Sequence, residues 1–421
     1  MKIIVIGSGL MGVATAYYLS EQGHEVIVVD RQSGPAQETS FANAGVLHPS
    51  QASPWNHPGI TWQILKWMGK ENSPFLLRPS ALPSLLNWGL TFLNHAKPEN
   101  FQANLRVNTA LANYNIECVE ELQKNHPFDY SAKRLGSMKV LENNQDLENA
   151  KEQIALFQAM GIECQVLNQG EVFNKEPALV ENGSKLVGGI FYPKDQTGDA
   201  HQFCLKLVEL IKRKQVQFIY DLNVDEFSLA NNKITGIKTN KGDYSADAYV
   251  LAAGSYSPLL VKSLKLKLPI RPIKGYSITL DMDNWKLKPK MPVIDEEAHV
   301  AITPLGDRLR AAGTAELNGY NLEINAQRIR LVLQQVIARY PEAATNIEDA
   351  DINPWTGLRP TTADGVPIMG ETPIKNLYLN TGHGHLGWSL AMGSGKIVTD
   401  IITGSVPDIN AEPYALARFL K

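Results

Sequence analysis

Apolar positions along this chain follow two periods, and the change from one to the other marks out its elements. Residues 2–6 and 25–29 are short, mostly β-branched runs, as parallel strands buried on both faces require. Between them Val13, Ala16, Tyr17 and Leu19 recur at helical spacing, and Gly23 can stop that helix. Helical periodicity returns over residues 101–124, 144–160, 325–340 and 388–402, and Asp199 can cap a helix over 200–214. Residues 188–193 read as a strand after a glycine turn, and further strands are predicted at 216–219, 223–228, 233–239 and 244–252. The last is apolar and runs into Ala252, Ala253 and Gly254, which suits a central strand passing close beneath a ligand. Tight strand–helix packing at Gly254 would ask for the same residues. Alternation over 270–281 and 298–312 suits an antiparallel sheet. A strand at 377–380, a glycine-rich loop and the 388–402 helix then return the chain to an α/β pattern. One domain is thus expected to draw on the beginning, middle and end of the chain.

The turn between the first strand and helix is Gly7-Ser8-Gly9-Leu10-Met11-Gly12. In this motif Gly7 permits the tight turn, Gly9 lets the backbone approach a pyrophosphate, and Gly12 lets helix and strand pack closely. The amides at the helix start, with the dipole behind them, receive phosphate charge. Asp30 closes the second strand where a carboxylate accepts hydrogen bonds from a ribose. Strand, glycines, helix, strand and acid in that order predict a dinucleotide-binding unit. The motif does not separate NAD from FAD. The fold class expected is α/β: a Rossmann-like domain with a parallel sheet, plus a discontinuous α+β domain with a mainly antiparallel sheet.

Length and composition bound the rest. A chain of 421 residues can form two domains with buried cores, and a net charge of -3 gives no reason to expect nucleic acid. Cys118, Cys164 and Cys204 lie far apart, against a disulfide framework, an iron–sulfur cluster or a zinc site. Entry straight into a strand leaves no room for a cleaved signal peptide, and no apolar run is long enough to span a bilayer, so a cytoplasmic protein is expected. One stretch, residues 54–96, qualifies this. It holds Trp55, Trp62, Trp67 and Trp88, four of the chain's seven tryptophans, with Phe75 and Phe92, with Lys66, Lys70 and Arg78 interspersed and with Lys97 next after it. Aromatic and basic residues together suit a membrane interface; a cover over the active site or a dimer contact would use the same residues.

Three further motifs carry a family resemblance. They are Ser40-Phe41-Ala42-Asn43-Ala44-Gly45, Lys274-Gly275-Tyr276-Ser277, and the pair Trp355-Thr356-Gly357-Leu358-Arg359-Pro360 and Asn380-Thr381-Gly382-His383-Gly384-His385-Leu386-Gly387-Trp388. With the amino-terminal unit, their order and spacing resemble the D-amino acid dehydrogenase small-subunit family, within the FAD amine oxidoreductases that include D-amino acid, glycine and sarcosine oxidases. The resemblance runs from residue 1 to about 404. It implies non-covalent FAD and oxidation of a free D-amino acid, such as D-alanine, to a 2-oxo acid and ammonia. Hydride would pass from Cα to flavin N5 and electrons onward to a respiratory quinone or other acceptor. It also implies peripheral attachment to the inner face of a bacterial membrane. The domains implied are 1–47, 199–268 and 352–421 for FAD, and 48–198 and 269–351 for the substrate cap. Glycine, sarcosine or hydroxyproline as substrate, or a flavin subunit with no substrate of its own, are the alternatives. Relatives usually carry Gln where this chain has Val46, and often Thr where it has His385.

The site residues follow. Arg359 would grip the substrate carboxylate through paired hydrogen bonds; otherwise it is a structural ion pair, with Asp364 the obvious partner. Tyr276 would donate its phenol proton to the same carboxylate, or simply fill the core. Lys274 would share its strand face and touch substrate or flavin, or mark a solvated end. Gly7, Gly9 and Gly12 would border the pyrophosphate and Asp30 the ribose, while Arg31 would cover the adenine or stay exposed. Ser40, Asn43, Ala44 and Gly45 would follow the cofactor toward the flavin. Val224 would offer backbone groups to adenine, and Ala253, Gly254 and Gly357 would complete the contacts. Gly382, His383, Gly384, Leu386 and Gly387 would lie at the pyrimidine end of the ring, where amides at a helix start stabilise charge on the reduced flavin. His383 and His385 lack an evident third ligand, so no metal is expected. The sequence leaves the oligomeric state open.

Overall fold

The computed structural model describes residues 1–420 apart from 68, 160, 183–184, 215 and 347–351. The β-branched runs at the amino terminus form the centre of a six-stranded sheet. Its order is Ile368–Glu371, Leu377–Thr381, Ala248–Leu251, Lys2–Ile6, Glu25–Val29, Val216–Ile219. All neighbours are parallel except the outer pair Ile368–Glu371 and Leu377–Thr381. One face packs on helices Leu10–Glu21, Pro98–Asn125, Ala200–Ile211 and Gly387–Thr403 in a shared core. The first and last of these approach closely, because a Cβ on Gly395 would lie within 3 Å of the Ala14 backbone. The other face is covered by an antiparallel meander of Val224–Ala230, Lys233–Thr239 and Gly242–Tyr244. Burial on both faces is why these central strands read as continuous apolar runs.

A larger, mostly antiparallel sheet forms the second layer. It runs Asn353–Thr362, Ile270–Asp281, Arg308–Leu317, Val300–Leu305, Val293–Asp295, Ser137–Leu141, Gly188–Tyr192, Gln165–Asn168, with Phe75–Leu77 joining Arg308–Leu317 in parallel. The twelve-residue strand Ile270–Asp281 pairs along its length with the edge strand Asn353–Thr362. That edge strand contains Pro354 and Pro360, which a ladder tolerates only at an edge.

Several expected elements change shape. The run at 244–252 divides: Gly242–Tyr244 belongs to the meander, whereas Ala248–Leu251 enters the parallel sheet. The alternation at 298–312 is a hairpin, Val300–Leu305 and Arg308–Leu317, turning at Gly306 with φ +65°. The expected helix 144–160 is Asn144–Ala159; its last residue, like 351 at the end of the expected cap segment and 421 at the end of the expected FAD segment, lies outside the described residues. Caps fall where side chains allow them. Asp199 accepts from the amides of His201 and Gln202, Asn325 from those of Gln327 and Arg328, and Gly404 ends the last helix at φ +74°.

Asp195 ties the turn Pro49–Gln51 to the larger sheet, accepting from the hydroxyls of Ser50 and Ser137. Burial drives its carboxyl up to about 7 despite those bonds. An acid whose folded pKa lies above its unfolded value lends stability only while protonated, so this contribution fades as pH rises from about 4 to about 7. Asp195→Asn is therefore expected to gain melting temperature over the wild type progressively between about pH 4 and pH 7. A difference that stays flat across that window would contradict a buried, protonated Asp195.

Candidate cofactor and substrate cavity

A cavity of about 1080 Å³ opens beyond the carboxyl ends of the parallel strands and runs beneath the larger sheet. That volume exceeds the roughly 300–1,000 Å³ usual for small-molecule pockets, and the position is where open α/β sheets bind ligands. Gly7, Gly9, Asp30, Ala253 and Gly254 line it directly after their strands, and Val224 stands beside them.

The three glycines of the first turn divide by what they must avoid. Gly7 has φ +107°, and a Cβ there would sit 2.5 Å from the Ala252 carbonyl oxygen. A Cβ on Gly12 would fall 1.8 Å from the Gly7 oxygen, and Gly12 does not line the cavity. Its demand comes from strand–helix packing alone. A Cβ on Gly9 would meet only the Ser40 hydroxyl, at 3.2 Å, and would otherwise project into the cavity. Gly9 is extended (φ -74°, ψ -176°) and caps the helix without a side-chain acceptor. This bare helix start is the cradle a phosphate fills.

Polar groups along the same wall are held in place. The Asp30 carboxylate accepts from Ser8 N and Oγ (2.6 and 2.7 Å) and Gln32 N (2.8 Å), and still has acceptor capacity. Arg31 is neither free nor fully exposed: it bonds Glu38 through Nε (2.7 Å) and lies 3.6 Å above the Tyr256 ring. Ser40 Oγ accepts from Leu10 N (3.1 Å), and Asn43 Oδ1 from Gly45 N (3.0 Å). Ser40, Asn43 and Ala44 line the cavity; Gly45, at φ +70°, packs against Leu305 outside it.

The opposite wall is the Asn353–Thr362 strand, which turns Trp355, Gly357 and Arg359 to one face. The Arg359 guanidinium lies across Gly275, where a Cβ would be 2.3 Å from Cζ. The Trp355 ring covers Gly357 in the same way: a Cβ there would lie 2.0 Å from it. Arg359 donates to the Thr314 carbonyl (2.9 Å), and among the described residues it has no carboxylate partner. Asp364, the expected structural partner, pairs with Arg418 instead (2.7 Å). Burial lowers the Arg359 pKa to about 10, still a cation at neutral pH.

Lys274 and Tyr276 turn elsewhere. They do share a strand face, but both converge on Glu316, a buried acid without a recognisable sequence signal. Tyr276 donates its one proton to Glu316 (2.6 Å), although the ring borders the cavity. Lys274 Nζ reaches Asn321 (3.0 Å), the Glu323 carbonyl (3.1 Å) and Glu316 (3.6 Å), and does not line the cavity. Arg78 completes the group (2.8 Å). Burial raises the Glu316 carboxyl, but bonds from Tyr276 and Arg78 outweigh it and hold it below the ordinary value. Tyr276 therefore has no proton left for a substrate carboxylate while Glu316 is ionised.

The glycine-rich loop closes the third side. His383, Gly384, His385 and Gly387 line the cavity; Leu386 is buried in the core, and a Cβ on Gly382 would strike Thr362 at 2.6 Å. Gly387 starts the seventeen-residue helix Gly387–Thr403, whose amino end faces the cavity. His383 Nε2 shares a hydrogen bond with Ser394 (2.9 Å). Burial lowers His383 and His385 to about 3, and His48 on the same wall to about 4, so all three are neutral at pH 7. Among the described residues no His, Cys, Asp or Glu cluster suits a metal ion. Trp55, His48 and Thr314 are cavity residues that no motif marked, though Trp55 belonged to the tryptophan-rich stretch.

These features fit the FAD implied by the resemblance: a phosphate cradle at Gly9, an acceptor at Asp30 and a helix start at Gly387. Because Gly9 has room for a side chain within the protein itself, Gly9→Val should fold with an unchanged far-ultraviolet spectrum and lose bound flavin. Full flavin occupancy in the folded variant would remove the cradle.

The FAD dependent oxidoreductase family model matches residues 2–401. The D-amino acid dehydrogenase of Vibrio atlanticus (strain LGP32) is 40% identical over 420 residues, covering 100% of both chains. That of Granulibacter bethesdensis is 39% identical over 419 residues, again covering 100% of both. Among solved structures, glycine oxidase from Geobacillus kaustophilus superposes with a TM-score of 0.77 at 20% identity, covering 99% of this chain and 98% of that one. L-proline dehydrogenase from P. horikoshii gives 0.75 at 18%, covering 100% and 97%. The structural likenesses establish the shared fold.

Proposed function

The chain belongs to the FAD dependent oxidoreductase family, and from that premise we propose that it oxidises free D-amino acids to 2-oxo acids and ammonia. Two full-length relatives near 40% identity bear the name D-amino acid dehydrogenase. The observation that carries the reading is Arg359, a cavity-facing cation with no carboxylate partner among the described residues. A buried charge without a partner is costly, so such a group calls for an anionic ligand. The α-carboxylate of an amino acid supplies one.

Bound FAD supplies the two-electron acceptor for oxidation at Cα. We assign segments 1–47, 199–268 and 352–421 to holding it, and 48–198 and 269–351 to capping the substrate, with two exceptions: helix Pro98–Asn125 packs on the parallel sheet, and strand Asn353–Thr362 belongs to the larger one. The remaining work belongs to side chains of this chain. Arg359 fixes the carboxylate by direction as well as charge, because its donors form a planar fork. Angular error at Cα would misdirect the transferred hydride, so this orientation is itself catalytic. The neutral His48, His383 and His385 add no charge that would compete for the carboxylate. Glu316 engages Tyr276 and Lys274 in support of the strand beneath Arg359.

Anaerobic addition of D-alanine should bleach the flavin spectrum of the purified protein, and L-alanine should leave it unchanged. Arg359→Ala should keep its flavin but lose about 10²–10³ in kcat/KM, the worth of a buried charge-assisted carboxylate contact. Bleaching by L-alanine would refute the stereochemistry, and near-normal kinetics in the variant would remove Arg359 as the anchor.

We further propose that electrons leave to a membrane-borne acceptor and that helix Leu82–His95 meets the bilayer surface. That helix buries Leu85, Trp88 and Phe92 but exposes Leu82, Leu86, Leu90 and Leu93, with Leu86 and Leu90 each 69% exposed. Trp62, 78% exposed, adds to the apolar surface. Across residues 54–97 Arg78 is taken by Glu71 and Glu316, and Lys66, Lys70 and Lys97 leave a positive excess that suits anionic headgroups. Among the described residues no helix is long and apolar enough to cross a membrane. The protein should float with phosphatidylglycerol vesicles, and Leu86→Asp with Leu90→Asp should leave it in the soluble fraction. Equal flotation of the double variant would exclude this face.

A further inference from the structure

Trp55 contacts two cavity residues from distant parts of the chain. One face of its indole stacks on His385, with centroids 4.8 Å apart and planes inclined by 13°. The Arg359 guanidinium carbon lies 5.3 Å from its ring centroid. The indole is firmly placed, because its neighbours dock on the turn that follows the Arg359 strand. Pro54 packs against Gly365, where a Cβ would approach it to 2.4 Å, and Asn56 Nδ2 donates to the Ala363 carbonyl (3.3 Å). Ile273, Trp88 and Leu317 complete an apolar cluster around it.

The charges lining the cavity are nearly all accounted for within the protein. Among the described residues two guanidinium groups line it: Arg31 is paired with Glu38, whereas Arg359 bonds the Thr314 carbonyl and has no carboxylate partner. Each lining carboxylate is also engaged: Asp30 by Ser8 and Gln32, Glu38 by Arg31, Asp295 by Arg339, Glu296 by Lys139. The site beside Arg359 therefore offers one positive charge, an indole, an imidazole and aliphatic surface. A second substrate carboxylate would find no second cation there, and a substrate ammonium side chain would find no free carboxylate. Either would be desolvated without compensation.

We propose that Trp55 is a specificity-determining residue: it aims the Arg359 guanidinium and, with His385, walls the side-chain subsite, so that the site takes monocarboxylic D-amino acids with uncharged, apolar side chains. The substrate class rests on the D-amino acid reading above; the aiming of Arg359 does not. A guanidinium on an indole face is worth up to about 2 kcal/mol when desolvated, or about thirtyfold in affinity.

The test uses the flavin-loaded full chain and two readouts. Anaerobic flavin reduction is followed with D-phenylalanine, D-methionine, D-alanine, D-aspartate and D-lysine. Benzoate binding is titrated through the shift it causes in the flavin spectrum, which needs no turnover. Trp55→Leu keeps apolar bulk without a ring face, and Trp55→Phe keeps a ring. The wild type should favour D-phenylalanine and D-methionine over D-aspartate and D-lysine by about a hundredfold or more, as an uncompensated buried charge dictates. Trp55→Leu should weaken benzoate about tenfold and narrow the preference for D-phenylalanine over D-alanine, while Trp55→Phe retains both within about threefold. Benzoate affinity and substrate ratio in Trp55→Leu within twofold of the wild type would overturn the role of Trp55, and efficient oxidation of D-aspartate or D-lysine would overturn the substrate class. Failure of every D-amino acid to reduce the wild-type flavin would instead overturn the reaction, with the benzoate titration still deciding whether Trp55 aims Arg359.

Discussion

A cation kept in a cavity wall, with no carboxylate partner among the described residues, is the constraint around which the site is built. Arg359 can be held there because its surroundings replace part of its hydration without neutralising it. Gly275 leaves the space beneath its plane, the Thr314 carbonyl takes one donor, and the Trp55 ring presents a negative face. None of these removes the charge, so most of the guanidinium's five donors remain for an anion. Asp364, five residues further along the chain, is held by Arg418 through two of that residue's nitrogens.

The same separation of roles governs the acids. Glu316 is a buried acid on the strand beside the one that bears Tyr276. Tyr276, Lys274 and Arg78 occupy it from three directions. Read this way, the Lys274-Gly275-Tyr276 triplet is one device. Its outer residues hold a buried acid and its central glycine seats the cation.

Much of this was legible in the sequence where chemistry and local geometry coincide. The strand–glycine–helix–strand unit is readable because its period, turn residues and closing acid all lie within thirty residues. The helix caps at Asp199 and Asn325 are local in the same sense. The edge strand Asn353–Thr362 was not legible, since Pro354 and Pro360 argue against a strand unless its edge position is known. Nor could the destinations of Lys274 and Tyr276 be read, because their partner Glu316 lies some forty residues away across a sheet register that contains a bulge. The place of Trp55 depends on contacts with residues 359 and 385, more than three hundred positions distant.

The glycines show why a fingerprint is both informative and ambiguous. At Gly12 and Gly7 a side chain is excluded by the protein's own backbone, at 1.8 and 2.5 Å. These residues report a close strand–helix turn and would be required with or without a ligand. At Gly9 the protein leaves room, and the missing side chain corresponds to cavity. A one-dimensional motif cannot separate these demands, since all three positions read simply as glycine. Only the contacts of the absent Cβ tell them apart. The same test separates Gly275, whose absent side chain makes room for the cavity-facing Arg359 guanidinium, from Gly382, whose absent side chain avoids Thr362 in the packing behind the loop. Glycine in this fold is therefore evidence for a ligand only where the space it leaves belongs to the cavity or to a group that faces it.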